Sequence, residues 1–469
     1  MPQPAIAAAS PKRAPGRAIA ALLAASLALL APTARAQGAG PPGVIRDAEI
    51  EQLMRDYANP VLRAAGVNAG ATRIILINDR SFNAFVANGR KIFVNLGALM
   101  EAKTPNEIIG VLAHETGHIA GGHLSNLHQE MARAQIMSII GMLAGAGAMV
   151  ATVRTNRPGS NVGSDAAGQA GLLLGPQELV RRTLLSYVRG QEEAADRAAV
   201  KYLAATGQSA KGLLTTLERF QNESLFKTSS IDPYTLSHPL PRERISNLET
   251  AAKASPTFNA ADSAALQLRH DMMRAKLVGF MGNAAEIGRR YPLADTSLAA
   301  RYGRAVAAYR FGRIADALGQ IDALIVAQPA NPFFQELKGQ TLLEAGRGRE
   351  AMGPLRRAAA LAPWATPIRV LLGRAMISAD QTDEAINVLT KVTQTDAEDP
   401  EAWQFLAIAY DRKNDLPQSQ LAAAQGFFLE GRFVEARTQA DRAKKQFREG
   451  SPAWLKADDI LNYRPPKFD

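Results

Sequence analysis

Residues 104–120 read TPNEIIGVLAHETGHIA, and the rest of the chain is best read outward from them. Thr104 is a natural N-cap, Pro105 suits the first helical position, and Glu107 stands three residues after the cap, close to a capping box. The segment is expected to be a helix, and it carries His114-Glu115-Thr116-Gly117-His118. Positions i and i+4 lie about 40° apart around an α-helix, so both imidazoles face one point. Glu115 sits beside them, placed to act as general base on a water held by zinc. Two histidines on a polar helix face are the plain alternative.

A zinc site needs a third protein ligand and an open fourth position. A metzincin would supply it as HExxHxxGxxH. Gly121 falls on that glycine, but residue 124 is Leu, and the next histidine, His123, comes one position short. The other reading is a carboxylate on a second helix. Glu192 and Asp196 stand i and i+4 in YVRGQEEAAD, residues 187–196 of a charged helical stretch over 179–206. Glu192 could ligate the metal while Asp196 accepts the second N–H of a ligand histidine and fixes its tautomer. Read alone, such a pair is usually just solvated.

Upstream, 41–70 read as helical from Ile45, Ile50, Leu53, Met54 and Tyr57. Residues 73–79 (RIILIND) have a buried-strand pattern. Residues 82–86 and 91–96 flank Asn88-Gly89, a hairpin signal. Downstream, from about residue 290, the chain repeats at a period of 34. Ala305, Gly339, Gly373 and Ala407 form one column. Gly312, Gly346, Asp380 and Asn414 form a second, and Ala317, Ala351, Ala385 and Ser419 a third. Small residues in the first and third columns let paired helices cross closely, and the second column lies in the turn between them. This is the tetratricopeptide signature, and such arrays present a concave protein-binding face. Pro417 is expected to open a further helix, and 433–447 to form the helix that ends the array.

HExxH followed by RxxExxAD resembles the gluzincin metallopeptidases that include HtpX, the CAAX prenyl proteases and the mitochondrial Oma-type proteases. Residues 41–250 are similar to that catalytic domain, and Asn83-Ala84-Phe85 and Val94-Asn95-Leu96-Gly97 look like its lead-in. An export signal with a C-terminal repeat array is similar to one branch, the periplasmic BepA-type proteases of outer-membrane barrel assembly. The resemblance implies one zinc ion per chain on His114, His118 and Glu192, Glu115 as general base, and Asp196 as the outer partner. Residues 237–244 (SHPLPRER) resemble the family's HPxxxxR segment. His238 would then be either an oxyanion donor or a fourth zinc ligand that holds the enzyme latent, and Arg244 an oxyanion or structural contact near the site. Substrate is expected to lie extended along the sheet edge at Asn83, Ala84, Phe85 and Val86, pairing backbone to backbone with broad specificity. His123, His128 and His270 fit no motif.

The chain's 469 residues contain no cysteine, which excludes disulfides, Cys-ligated zinc, thiol catalysis and lipoprotein acylation. The net charge is +10, and the first 36 residues hold four cations and no acid. The remainder carries no basic stripe of the kind that binds nucleic acid. Basic residues before Ala18–Leu30, an apolar run, and then Ala34-Arg35-Ala36 have the layout of a secretory signal cleaved after Ala36. Residues 134–153 lack charge, and are expected to be a hydrophobic lid or membrane-surface helix, with a core helix or a true span as alternatives.

The expected fold class is α+β. A mostly helical metallopeptidase domain with a small sheet (37–260) follows the signal (1–36). A helical linker (261–289) then leads to an all-α repeat solenoid (290–469). The expected function is a periplasmic zinc endopeptidase acting on unfolded or misassembled outer-membrane proteins. Its repeats would dock on the barrel-assembly machinery, with peripheral membrane contact. The alternative is a scaffold or chaperone whose peptidase is mostly latent.

Overall fold

The computed structural model describes residues 43–87, 89–123, 187–226, 238 and 242–464. The signal segment, the apolar stretch 134–153, His128 and the residues flanking His238 lie outside the described residues.

The sheet has four strands in the order β1-β2-β4-β3, with β1 Val44–Ile45, β2 Arg73–Ile77, β3 Ala84–Ala87 and β4 Lys91–Asn95. β2 and β4 run parallel, while β1 and β3 lie antiparallel at the edges. β3 and β4 form an antiparallel hairpin, and Gly89 in the connection takes φ +69°. The reading of 41–70 as one helix is corrected. Val44 and Ile45 pair with Ile77 and Leu76, and the helix is Ala48–Ala64. Asp47 sets its start, because its side chain accepts from the backbone N–H of Ile50 at 2.9 Å.

The HExxH helix is Pro105–Ala120. The Glu107 carboxylate accepts from the backbone of Lys103 and Thr104 at 2.9 and 3.3 Å, closing its first turn. One core joins Leu53 and Met54, Leu76 of β2, Ile92 and Val94 of β4, and Ile108 and Leu112 of the HExxH helix. Leu203 and Leu213 also join it. So do Met273 and Leu277 of the helix Ala264–Met281, and Ala307 of the first repeat helix. Eight repeat helices run in antiparallel-type pairs from Leu298–Arg310 to Leu416–Leu429. The second column takes the left-handed backbone its turn demands: φ is +72° at Gly312, +76° at Gly346, +63° at Asp380 and +59° at Asn414. The array ends later than expected, because Phe433–Lys444 is followed by a further helix, Pro452–Asn462, capped by Ser451.

The start of the peptidase part packs into the repeats. Ala48 is buried among Ala358, Ala362, Ala365 and Ile368. Arg46 reaches Asp396 at 2.8 Å and Asp399 at 3.2 Å, and Arg73 pairs with Asp396 at 3.4 Å. Lys276 pairs with Asp47 at 2.7 Å and Glu49 at 3.2 Å, and the Tyr302 hydroxyl donates to Glu49 at 2.8 Å.

Candidate metal centre

Four donor side chains converge from three places in the sequence. His114 and His118 come from one face of the HExxH helix. Glu192 comes from the helix over 187–205, and His238 from the segment before the helix Arg242–Ala254. The first two helices approach closely at Gly117. A Cβ there would lie 2.9 Å from both Cα and O of Ala195, so only glycine lets Glu192 reach the histidines.

The donor atoms all lie within 4.8 Å of one another. His114 Nε2 and His118 Nε2 are 3.0 Å apart, and each stands 3.3 Å from a different oxygen of Glu192. His238 Nδ1 is 3.1 Å from both Glu192 oxygens and 3.4 Å from His114 Nε2. Nitrogen and oxygen donors bound tetrahedrally at ~2.0–2.2 Å from one ion stand about 3.3–3.6 Å apart, close to this spacing.

The local charge points the same way. Glu115, Glu192 and Asp196 are buried, and among the described residues they face one buried guanidinium, that of Arg244. Burial pushes the Glu115 carboxyl up, against the pull of His238 and His114. Neither Glu115 oxygen has a hydrogen-bond partner among the described residues. A buried carboxylate without a partner is costly unless the site supplies one. Burial also opposes the Glu192 charge, but the imidazoles of His114, His118 and His238 around it hold its pKa far below the usual range. Burial lowers His118 to about 4, which leaves its imidazole neutral and able to donate a lone pair. The residues therefore fit a divalent cation in donor type, spacing and charge.

Asp196 Oδ1 lies 2.8 Å from His114 Nδ1. Arg244 donates through Nε to Asp196 Oδ2 at 2.6 Å and lies 2.8 Å from Glu192 Oε2. Its guanidinium thus spans the two carboxylates of the second helix. His238 has a second contact. Asn83 O accepts from Asn95 N within the hairpin, so the next carbonyl, of Ala84, faces away from β4. His238 Nε2 lies 3.3 Å from that carbonyl oxygen, at the free edge of the sheet. A carbonyl only accepts, so the tautomer protonated at Nε2 satisfies this contact and leaves the Nδ1 lone pair for a metal ion.

Two histidines without a motif acquire places. His270 is buried. Its Nε2 donates to Ala102 O at 3.0 Å and its Nδ1 accepts from the Tyr57 hydroxyl at 3.0 Å, which makes it a satisfied core residue. His123 stands against the site, with Nδ1 2.9 Å from Nδ1 of His118. In the sequence it stands only as the histidine one position short of a metzincin's third ligand.

Residues 45–252 match peptidase family M48, and residues 342–409 match the tetratricopeptide repeat. The chain carries a family M48 peptidase domain followed by tetratricopeptide repeats, and it is a metalloprotease. It is similar to the beta-barrel assembly-enhancing protease of Yersinia pestis, 25% identical over 401 residues, or 82% of this chain and 78% of that protein. The protein of the same name in Escherichia coli K12 is 25% identical over 423 residues, covering 88% and 82%. A putative one in Vibrio cholerae is 24% identical over 419 residues, covering 88% and 84%. Among the described residues, no helix is long and apolar enough to cross a membrane.

Proposed function

We propose that this chain is a zinc-dependent endopeptidase of the periplasm, acting on unfolded or misassembled outer-membrane proteins during barrel assembly. The observation that carries the reading is the pair of Glu115 oxygens, without a hydrogen-bond partner among the described residues, beside four converging donors. The names of the relatives support the assembly role.

His114, His118 and Glu192 would hold the ion. When bound, zinc lowers the pKa of a water and polarises a carbonyl. Glu115 takes the proton from the attacking water and passes it to the leaving amine nitrogen. Its raised pKa, set by burial, suits a group that must first accept a proton and then release it. Asp196 holds His114 in the tautomer that leaves Nε2 free, and Arg244 fixes both carboxylates as a positioning residue. An extended substrate pairs with the outer edge of β3, near Asn83, Ala84, Phe85 and Val86, with the Ala84 carbonyl as an acceptor.

His238 has to leave before that happens, since it covers both the donor cluster and the Ala84 carbonyl. This observation supports the fourth-ligand role over oxyanion donation. It also favours a second reading, in which the peptidase rests closed and the repeats act mainly as a scaffold on the assembly machinery.

The test is zinc content together with cleavage of an unfolded outer-membrane protein, wild type beside Glu115→Gln. One equivalent of zinc in both, with cleavage by wild type only, is expected. Equal cleavage by the two would refute the role of Glu115. Cleavage by neither would move the weight to the scaffold.

A further inference from the structure

We infer that His123 is the positioning residue for zinc ligand His118, doing at that imidazole what Asp196 does at His114. The inference rests on the zinc reading above. It is carried by how the chain brings His123 back over the helix it has just left.

A histidine that ligates through Nε2 as a neutral imidazole keeps its one proton on Nδ1. His118 Nε2 faces the donor cluster, so His118 Nδ1–H must be donated elsewhere. The acceptor in the structure is His123 Nδ1 at 2.9 Å, the two rings standing at 83°. His123 is then the Nε2–H tautomer. Without that acceptor, the His118 ring is free to turn about its χ2 angle, and its lone pair loses its aim at the ion.

Two glycines make the contact possible, each for its own reason. The HExxH helix ends at Ala120, and Gly122, at φ +62°, reverses the chain with its N–H on Ile119 O at 3.1 Å. A side chain in that conformation is strained. Gly121 lies beneath the returning ring. A Cβ there would stand 2.3 Å from His123 Nε2, so any larger residue would push the imidazole off His118. The returning backbone is tied to the second ligand helix, because Gln191 Nε2 donates to His123 O at 3.3 Å. Gln191 directly precedes the ligand Glu192. One short turn thus connects the outer side of His118 to the helix that supplies the third ligand.

The two outer partners are unequal. Asp196 is a carboxylate clamped by Arg244, whereas His123 offers a neutral lone pair, a weaker acceptor. His123 therefore orients its ligand more than it strengthens it.

The experiment measures zinc affinity of the full chain by competition with a chromophoric chelator, with the cobalt-substituted spectrum and the urea midpoint of metal-free protein alongside. His123→Ala and Gly121→Ala are expected to weaken zinc binding by roughly ten- to a hundredfold, and to change the cobalt ligand-field bands. In both, the metal-free midpoint should stay near wild type. His123→Asn places an amide oxygen where Nδ1 stood, and is expected to restore affinity. His123→Gln, one methylene longer, is not, and this pair carries the test if the alanine variants fold poorly. Wild-type affinity in His123→Ala, or no rescue by Asn, would overturn the inference while leaving the zinc reading in place. A wild-type chain that takes up no zinc would overturn both.

Discussion

The joint between peptidase and repeats should make stability fall as pH rises, and Glu336 is where to test it. Glu336 lies buried on the repeat helix Pro332–Glu344, with one carboxylate oxygen lacking a hydrogen-bond partner among the described residues. Around it stand Asp47, Glu49 and Glu51, with Lys276 as the buried cation. Burial first, then the nearby acids, against the pull of Lys276, push Glu336 up from 4.5 to about 8. The folded chain therefore holds a proton that the unfolded chain has lost. Between these two values the folded state binds more protons, so stability is greatest at the low end and declines as pH rises. The slope is ~1.4 kcal/mol per pH unit, and the decline over the window is on the order of 4 kcal/mol. Gln cannot titrate and keeps the shape of the protonated acid. Glu336→Gln should match wild type near pH 5 and exceed it progressively toward pH 8. Urea midpoints of both proteins across this range give the difference, in which titrating groups remote from Glu336 cancel. Two curves that stay parallel from pH 5 to 8 would refute the assignment of a buried proton to Glu336.

Arg244→Met leaves Glu192 and Asp196 buried without their shared cation. It should lower the stability of metal-free protein by ~3–5 kcal/mol in urea unfolding. Arg244→Lys should recover only part of this, because one ammonium cannot fork between two carboxylates. His238→Ala uncovers both the donor cluster and the Ala84 carbonyl, and is expected to raise the cleavage rate of an unfolded substrate. A fall instead would show that His238 donates to the reacting oxygen.

The parts of the site legible in sequence were those held by regular helix geometry. His114 and His118 share a face because four residues are nearly one turn, and Glu192 and Asp196 share another for the same reason. The repeat columns were legible because small residues and left-handed turns recur at fixed spacing, as Gly312 to Asn414 do. What escaped depends on contacts that no local pattern encodes. Val44 and Ile45 are a strand only because β2 offers them an edge. His123 matters only because Gly122 turns the chain back toward His118. The role of Arg46 is set by Asp396 and Asp399, some 350 positions away. The helix Pro452–Asn462 follows a turn that looked like the end of the array.

The contacts of Arg46 and Arg73 bear on the order in which the molecule can be completed. β1 and the cap of the Ala48–Ala64 helix lie beside residues that bind carboxylates of the third repeat pair and the turn after it. A chain emerging from its N-terminal side reaches those carboxylates only after nearly all of its repeats have emerged. Until then, Ala48 has no Ala358 or Ile368 to cover it, and Lys276 has no Glu336 near it. Contacts of such long sequence separation form late and carry the largest closure cost. The catalytic half is therefore expected to tighten last, when the array closes over its first strand. A chain shortened within the repeats would carry every ligand of the site and still lack the brace that steadies it.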